Sequence, residues 1–266
     1  MTKMTTQSNT QAANSRFKED LEVLGYFVFD LKDTQILTAA RAKFIDIFNT
    51  ICTFHGYGQI KNDEDIIKLY RSQSRSLWVA AYDQLRYIPE IGTLLNHPEI
   101  MAMVKSAGIK LPVWLLAPML RVDMPNDDKF NFPIHQDFPY NYGSYNCITL
   151  WAPFQDVDET SGALWVIPGS HKLGFLPTEN DLLKDYSPSK HGEFVQVPMS
   201  FGKILLFSQH LIHKSGSNYA KTVRFSLQLR YSDLKSEEYM RRKYYVHRRS
   251  RSLPNKIDLK FPEEAQ

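Results

Sequence analysis

Near residue 112 the hydrophobic pattern of the 266-residue chain switches from helical to strand-like. Upstream, Phe17, Leu21 and Leu24 recur at helical spacing, so residues 16–24 are expected to form a short helix that Gly25 ends. Tyr26 to Phe29 reads as a strand. Asp33 or Thr34 is placed to cap a helix running to about Phe54, with Ile36, Ala40, Phe44, Ile47 and Ile51 as its apolar stripe. Residues 63–107 carry more helical pattern, interrupted at Pro89 and at His97-Pro98. Downstream, short β-rich runs at 113–123, 147–153, 163–167, 194–197, 203–209 and 223–231 are separated by turn clusters such as Pro125-Asn126-Asp127-Asp128. Helices first and strands later predict an α+β chain in which helices buttress a β sandwich or barrel. The long polar segment 173–192 is a candidate lid.

The chain is long enough for one large domain. Residues 1–15 are polar and read as a disordered lead-in without the apolar segment of a secretory signal. No stretch approaches the length of a membrane-spanning helix. Two cysteines, Cys52 and Cys147, make no disulfide framework and no zinc motif, and a cytoplasmic location is the expectation. The net charge of +3 is uneven: Arg241, Arg242, Lys243, Arg248, Arg249 and Arg251 contribute six positive charges, leaving about −3 (+3 minus 6) elsewhere. Residues 16–240 are therefore read as the domain and 241–266 as a basic C-terminal segment, which is expected to be solvated rather than to hold nucleic acid.

Within the β-rich half, His135 and Asp137 stand two apart. On an extended strand such residues face the same way and reach one metal ion. A third ligand must come from a later strand end, where both His210 and His213 are available, and alternation does not choose between them. Two imidazoles and a carboxylate suit non-haem Fe(II), with zinc as the rival. On 223–231, Val223, Phe225, Leu227, Leu229 and Tyr231 share one face, and Arg224, Ser226, Gln228 and Arg230 the other. The polar face could meet solvent or line a barrel interior. By the same parity Cys147, Thr149 and Trp151 lie together. Phe138, Tyr140, Tyr142 and Tyr145 follow the first ligand pair and could wall a pocket or pack a loop.

The string His213-Lys214-Ser215-Gly216-Ser217-Asn218 followed by Arg224, together with His135-Gln136-Asp137, Trp151, Gly162 and Pro168-Gly169-Ser170-His171-Lys172, resembles the phytanoyl-CoA dioxygenase family of Fe(II)/2-oxoglutarate oxygenases over about residues 17–232. The resemblance implies a double-stranded β-helix, a jelly-roll barrel. It makes His135, Asp137 and His213 the iron ligands. It makes Arg224 the anchor of the distal carboxylate of 2-oxoglutarate, with Ser215 beside it. Gln136 and Trp151 would line the cosubstrate site, with Arg121 or Met119 as further contacts. His171 belongs to a turn. The implied activity is oxidation, foremost hydroxylation, of a small-molecule metabolite, using O2 and releasing succinate and CO2; positive residues near the mouth would suit an anionic substrate. The carboxylate at Asp137 argues against halogenation, because related halogenases carry a small residue there. A ligand-binding barrel without turnover, and a protein- or nucleic-acid-modifying oxygenase, are the competing readings.

Overall fold

The structure, a computed structural model, describes residues 16–72 and 74–244. The expected lead-in 1–15 and the basic residues from 245 onward lie outside the described residues. The helices are α1 (residues 16–23), α2 (Gln35–Phe54), α3 (Asp63–Arg71), α4 (Arg75–Gln84), α5 (Pro89–Leu95), α6 (Pro98–Ser106), α7 (Phe138–Asn141), α8 (Pro188–His191) and α9 (Glu237–Arg241). The strands are β1 (Tyr26–Asp30), β2 (Pro112–Trp114), β3 (Met119–Asp123), β4 (Ile148–Pro153), β5 (Leu164–Val166), β6 (Thr178–Glu179), β7 (Leu182–Leu183), β8 (Val195–Val197), β9 (Lys203–Ser208), β10 (His213–Lys214) and β11 (Arg224–Asp233).

Local signals account for several boundaries. Asn62 caps α3 by accepting from the Asp65 amide, and acids fill the first turn while Lys68 and Arg71 fill the last. Pro89 and Pro98 sit at the first helical positions of α5 and α6, where a missing N–H is harmless. Gly25 adopts φ +82°, and a Cβ there would also collide with His171, whose Nε2 reaches the Glu22 carbonyl. The predicted stripe of α2 is rotated by about one residue. Leu37, Ala40, Phe44, Phe48 and Cys52 are buried, whereas Ile36, Ile47 and Ile51 are only partly so. An apolar arc on two sides of this helix leaves the choice to the sheet it meets.

The main sheet is antiparallel in the order β1-β9-β4-β11-β2, with β3 also paired to β11. A second sheet runs β10-β5-β8, and β6 and β7 form a small hairpin. Bridges His135–His213, Val157–Met199 and Ser161–Asn218 add to the pairing. The outer face of the main sheet, including Leu150, Leu206, Phe225, Leu227 and Leu229, packs with the N-terminal helices in one large core. Phe44 of α2 meets Phe154 edge-on and Phe225 in a stack, with centroids 4.9 and 5.4 Å apart. The inner face closes with the second sheet around Trp151, Leu164, Val166, Leu205 and Phe207. This is the jelly-roll arrangement expected, with the N-terminal helices packed on the outer face of the main sheet. No helix among the described residues is long and apolar enough to cross a membrane.

The segment 173–192 is folded. It contains β6, β7 and α8, and Leu183 donates to the Ile134 carbonyl. The basic run is also partly committed: Arg242 donates to the carbonyls of Tyr142 and Gly143, and Arg241 pairs with Glu237.

Candidate metal centre

His135, Asp137 and His213 are all buried, and each offers a ligand atom within 4.8 Å of the other two. His210 is not in this group. Its ring lies between Phe138 and Tyr145, with centroids 5.1 and 5.0 Å away. The route by which His135 and Asp137 converge differs from expectation. They do not share a regular strand. His135 exchanges backbone hydrogen bonds with His213, whereas Asp137 has helical angles (φ −73°, ψ −24°) and opens α7. The amides of Asp137 and Phe138 both donate to the Gln209 carbonyl, which turns the chain at this point. Pro133 and Pro139 flank the turn and disfavour a continuous strand.

The two rings are fixed by their second nitrogens. His135 Nδ1 lies 2.7 Å from the Pro133 carbonyl and His213 Nδ1 lies 2.9 Å from the Leu211 carbonyl. A carbonyl only accepts, so Nδ1 carries the proton and Nε2 keeps its lone pair for a metal ion. Burial lowers the basicity of both rings, and His213 lowers that of His135 further, to a pKa of about 3. Burial alone would raise the Asp137 pKa, but Arg230 and then the histidines outweigh it and keep the carboxylate ionised. Two neutral imidazoles and one carboxylate are the protonation states a divalent cation requires.

Asp137 is held from two further sides. Arg230 of β11 donates from Nη2 to Oδ1 (2.6 Å) and from Nε to Oδ2 (3.2 Å), and the Thr149 hydroxyl of β4 donates to Oδ2. Thr149 and Arg230 are direct partners in the β4–β11 register. The sequence places both residues on the inward parity but gives neither a role.

Arg224 lies six residues from Arg230 on the same face of β11 and is 2% exposed. Its fork is already engaged by groups of the protein. Nε and Nη2 donate to Asp123 Oδ2 (3.2 and 2.8 Å), and Nη1 donates to the Gly162 and Gly216 carbonyls. Asp123 of β3 pairs with Arg121 as well. Burial pushes Asp123 up, but Arg224 and Arg121 together hold it below the usual carboxylate range. The buried trio Arg121–Asp123–Arg224 therefore carries one uncompensated positive charge. Gly162 (φ +91°) is required here, because a Cβ would overlap the Arg224 guanidinium. Beside the trio, Ser226 is fully buried and its hydroxyl has no partner among the described residues.

The remaining expected contacts divide. Trp151 faces inward and is 1% exposed, opposite Gln228 and Leu205. Met119 is opposite Gln228 on β3. Gln136 does not present its amide to the centre: it donates to the Gly174 and His210 carbonyls and accepts from the Leu176 amide, pinning the start of 173–192. Ser215 is zipped to Phe132, donating its amide to the Phe132 carbonyl and accepting from the Phe132 amide on its hydroxyl. The following residue, Gly216, is the one that touches Arg224. Tyr140 packs edge-on to His135 at 5.4 Å, and Phe138 packs against His210 and Phe175. These aromatics pack loops around the centre.

Comparison with known proteins gives a consistent picture. The family model for phytanoyl-CoA dioxygenase matches residues 90–226, just over half of the chain. Phytanoyl-CoA dioxygenase 1 of Oryza sativa subsp. japonica is 31% identical over 117 residues, 41% of this chain and 42% of that protein. Methylphosphonate hydroxylase of Gimesia maris is 30% identical over 118 residues, 44% and 45% of the two chains. The chain thus spans less than half the length of these relatives. Among solved structures, the epimerase SnoN in complex with Fe3+, alpha ketoglutarate and nogalamycin RO aligns with a TM-score of 0.60 at 20% identity, over 84% of each chain. EctD from S. alaskensis with 2-oxoglutarate and 5-hydroxyectoine aligns with a TM-score of 0.58 at 17% identity, over 84% of this chain and 77% of that one. At such identities the two alignments speak for the fold alone. From the matched family model and the sequence relatives, the chain belongs to the phytanoyl-CoA dioxygenase family.

Proposed function

We propose that this protein is an Fe(II)/2-oxoglutarate-dependent dioxygenase that hydroxylates a C–H bond of a small-molecule metabolite, releasing succinate and CO2. The observation that carries the reading is the convergence of His135, Asp137 and His213 with both imidazole Nε2 atoms available. Three protein ligands leave coordination positions for a chelating cosubstrate and O2. Bound Fe(II) and 2-oxoglutarate supply the O2 activation and the oxidising power.

The chain supplies position and charge. The two carbonyls on Nδ1 orient the ligand rings, and Thr149 and Arg230 orient the carboxylate of Asp137. The unpartnered Ser226 hydroxyl and the net positive Arg121–Asp123–Arg224 trio fit the distal carboxylate of a diacid. Arg224 has four of its five N–H groups engaged, so the diacid shares it with Asp123 rather than taking a free fork. Trp151, Leu205 and Phe207 keep the interior apolar. We take residues 16–240 as the catalytic unit. Its two cysteines are free and buried, which suits the cytoplasm.

The test is an anaerobic titration of the full chain with Fe(II) and 2-oxoglutarate. A weak visible charge-transfer band is expected in the wild type and is lost in His213→Ala. Succinate release in a metabolite screen then identifies substrates. An unchanged band in His213→Ala, or no band in the wild type, contradicts the reading.

A further inference from the structure

The metal centre adjoins a cavity that shares Arg121 and Asp123 with the mechanism above but whose aromatic remainder that mechanism leaves unused. It has a volume of about 340 Å³ and lies along β3, which pairs only with β11 among the described strands. That size is at the small end for ligand pockets, enough for one or two fused rings. Its walls come from α3, α4 and the loop after β3.

The walls are aromatic, and both tyrosine hydroxyls are already used. Trp78 meets Tyr70 edge-on at 4.9 Å and stacks on Tyr82 at 6.0 Å. The Tyr70 hydroxyl donates to Asp127 (2.8 Å) and the Tyr82 hydroxyl donates to the Leu120 carbonyl (2.8 Å). The rings therefore offer faces rather than hydroxyl donors, which suits a planar apolar group better than a sugar. Phe130 is 52% exposed at the mouth. Phe132 forms a wall shared with the metal centre, its ring 5.6 Å from that of His135.

The charges are asymmetric. Of the charged lining residues, Arg121 and Asp123 pair with each other, and Asp83 pairs with Arg86. Arg75 lines the cavity, is exposed, and has no ion-pair partner among the described residues. An unpaired guanidinium at the rim of an aromatic slot recognises an acid group attached to a ring.

We propose that this cavity binds the ring-bearing part of an organic anion, with Arg75 pairing the acid group and Phe132 separating the bound ring from His135. Calling that anion the substrate rests on the oxygenase reading; its binding does not.

The experiment is a fluorescence titration of the full chain with 2-naphthoate and, as the neutral comparator, 2-naphthylmethanol, without metal or 2-oxoglutarate. Saturable binding of one naphthoate per chain is expected. Arg75→Gln weakens naphthoate roughly 5- to 10-fold, as for loss of one partly exposed charge pair, and leaves the alcohol within about twofold. Val79→Trp, at a 39%-exposed helix position lining the cavity, blocks both ligands without touching the core. The absence of saturable binding, binding that Val79→Trp leaves intact, or equal losses for acid and alcohol in Arg75→Gln overturns the proposal. His213→Ala keeps naphthoate binding while losing the charge-transfer band, so the two readings fail separately.

Discussion

The two faces of β11 are built on opposite physical terms. Phe225, Leu227, Leu229 and Tyr231 point to the helices and are stabilised by removal of apolar surface from water. Arg224, Ser226 and Arg230 point into the barrel, where two guanidinium groups and two carboxylates, Asp123 and Asp137, are taken out of water. Desolvating such charges costs about as much as their attraction returns, so the inner face contributes little net stability. What it contributes is a fixed arrangement of charge. The difference between the faces predicts that outer substitutions change stability and leave metal binding alone, while inner ones change both.

The largest effect on stability is expected from Phe225→Ala, which empties a site packed against Phe44. It should cost about 3–5 kcal/mol in urea unfolding, with metal affinity within about twofold once folded. A loss of metal affinity beyond that would break the separation of faces. Arg230→Met leaves Asp137 buried without its cation and should cost about 3 kcal/mol, the lower end for a broken buried pair. Here metal ions should recover much of the loss, because a divalent cation again neutralises Asp137; a thermal shift on adding Mn(II) larger than in the wild type is the expected sign. Thr149→Val removes one hydroxyl from Asp137 and should cost about 1–2 kcal/mol, with a weaker metal site and an unchanged fold by circular dichroism.

A graded counterpart to these substitutions is the pH dependence of the chelator-treated protein. Both ligand histidines have pKa values lowered by burial, that of His135 to about 3. Below the ordinary histidine pKa of about 6.5 the unfolded chain binds protons that the folded chain refuses. Stability is therefore flat above that pH and falls below it as both histidines refuse protons, the His135 part continuing toward pH 3, at up to ~1.4 kcal/mol per pH unit for that residue. Urea midpoints unchanged between pH 7.5 and 5 would show that the rings are not buried and neutral.

The sequence made the faces of β11 legible because a strand alternates with period two and five apolar residues mark one side. The helix starts at Pro89 and Pro98 were readable for a similarly local reason. Partnerships across strands were not. That Arg224 meets Asp123 and Arg230 meets Asp137 depends on which strands pair and in what register, and the nearest of these partners is 93 residues away in the chain. The hairpin β6–β7 was missed because two-residue strands carry no periodic signal. His135 and Asp137 approach one point through a turn held by Gln209, whereas the sequence pointed to strand geometry.

His213, rather than His210, completes the centre. Calorimetric titration with Mn(II) of the wild type, His213→Ala and His210→Gln tests this most directly. One site per chain is predicted in the wild type and in His210→Gln, and none in His213→Ala. Retained binding in His213→Ala, or its loss in His210→Gln with the fold intact, would contradict the assignment.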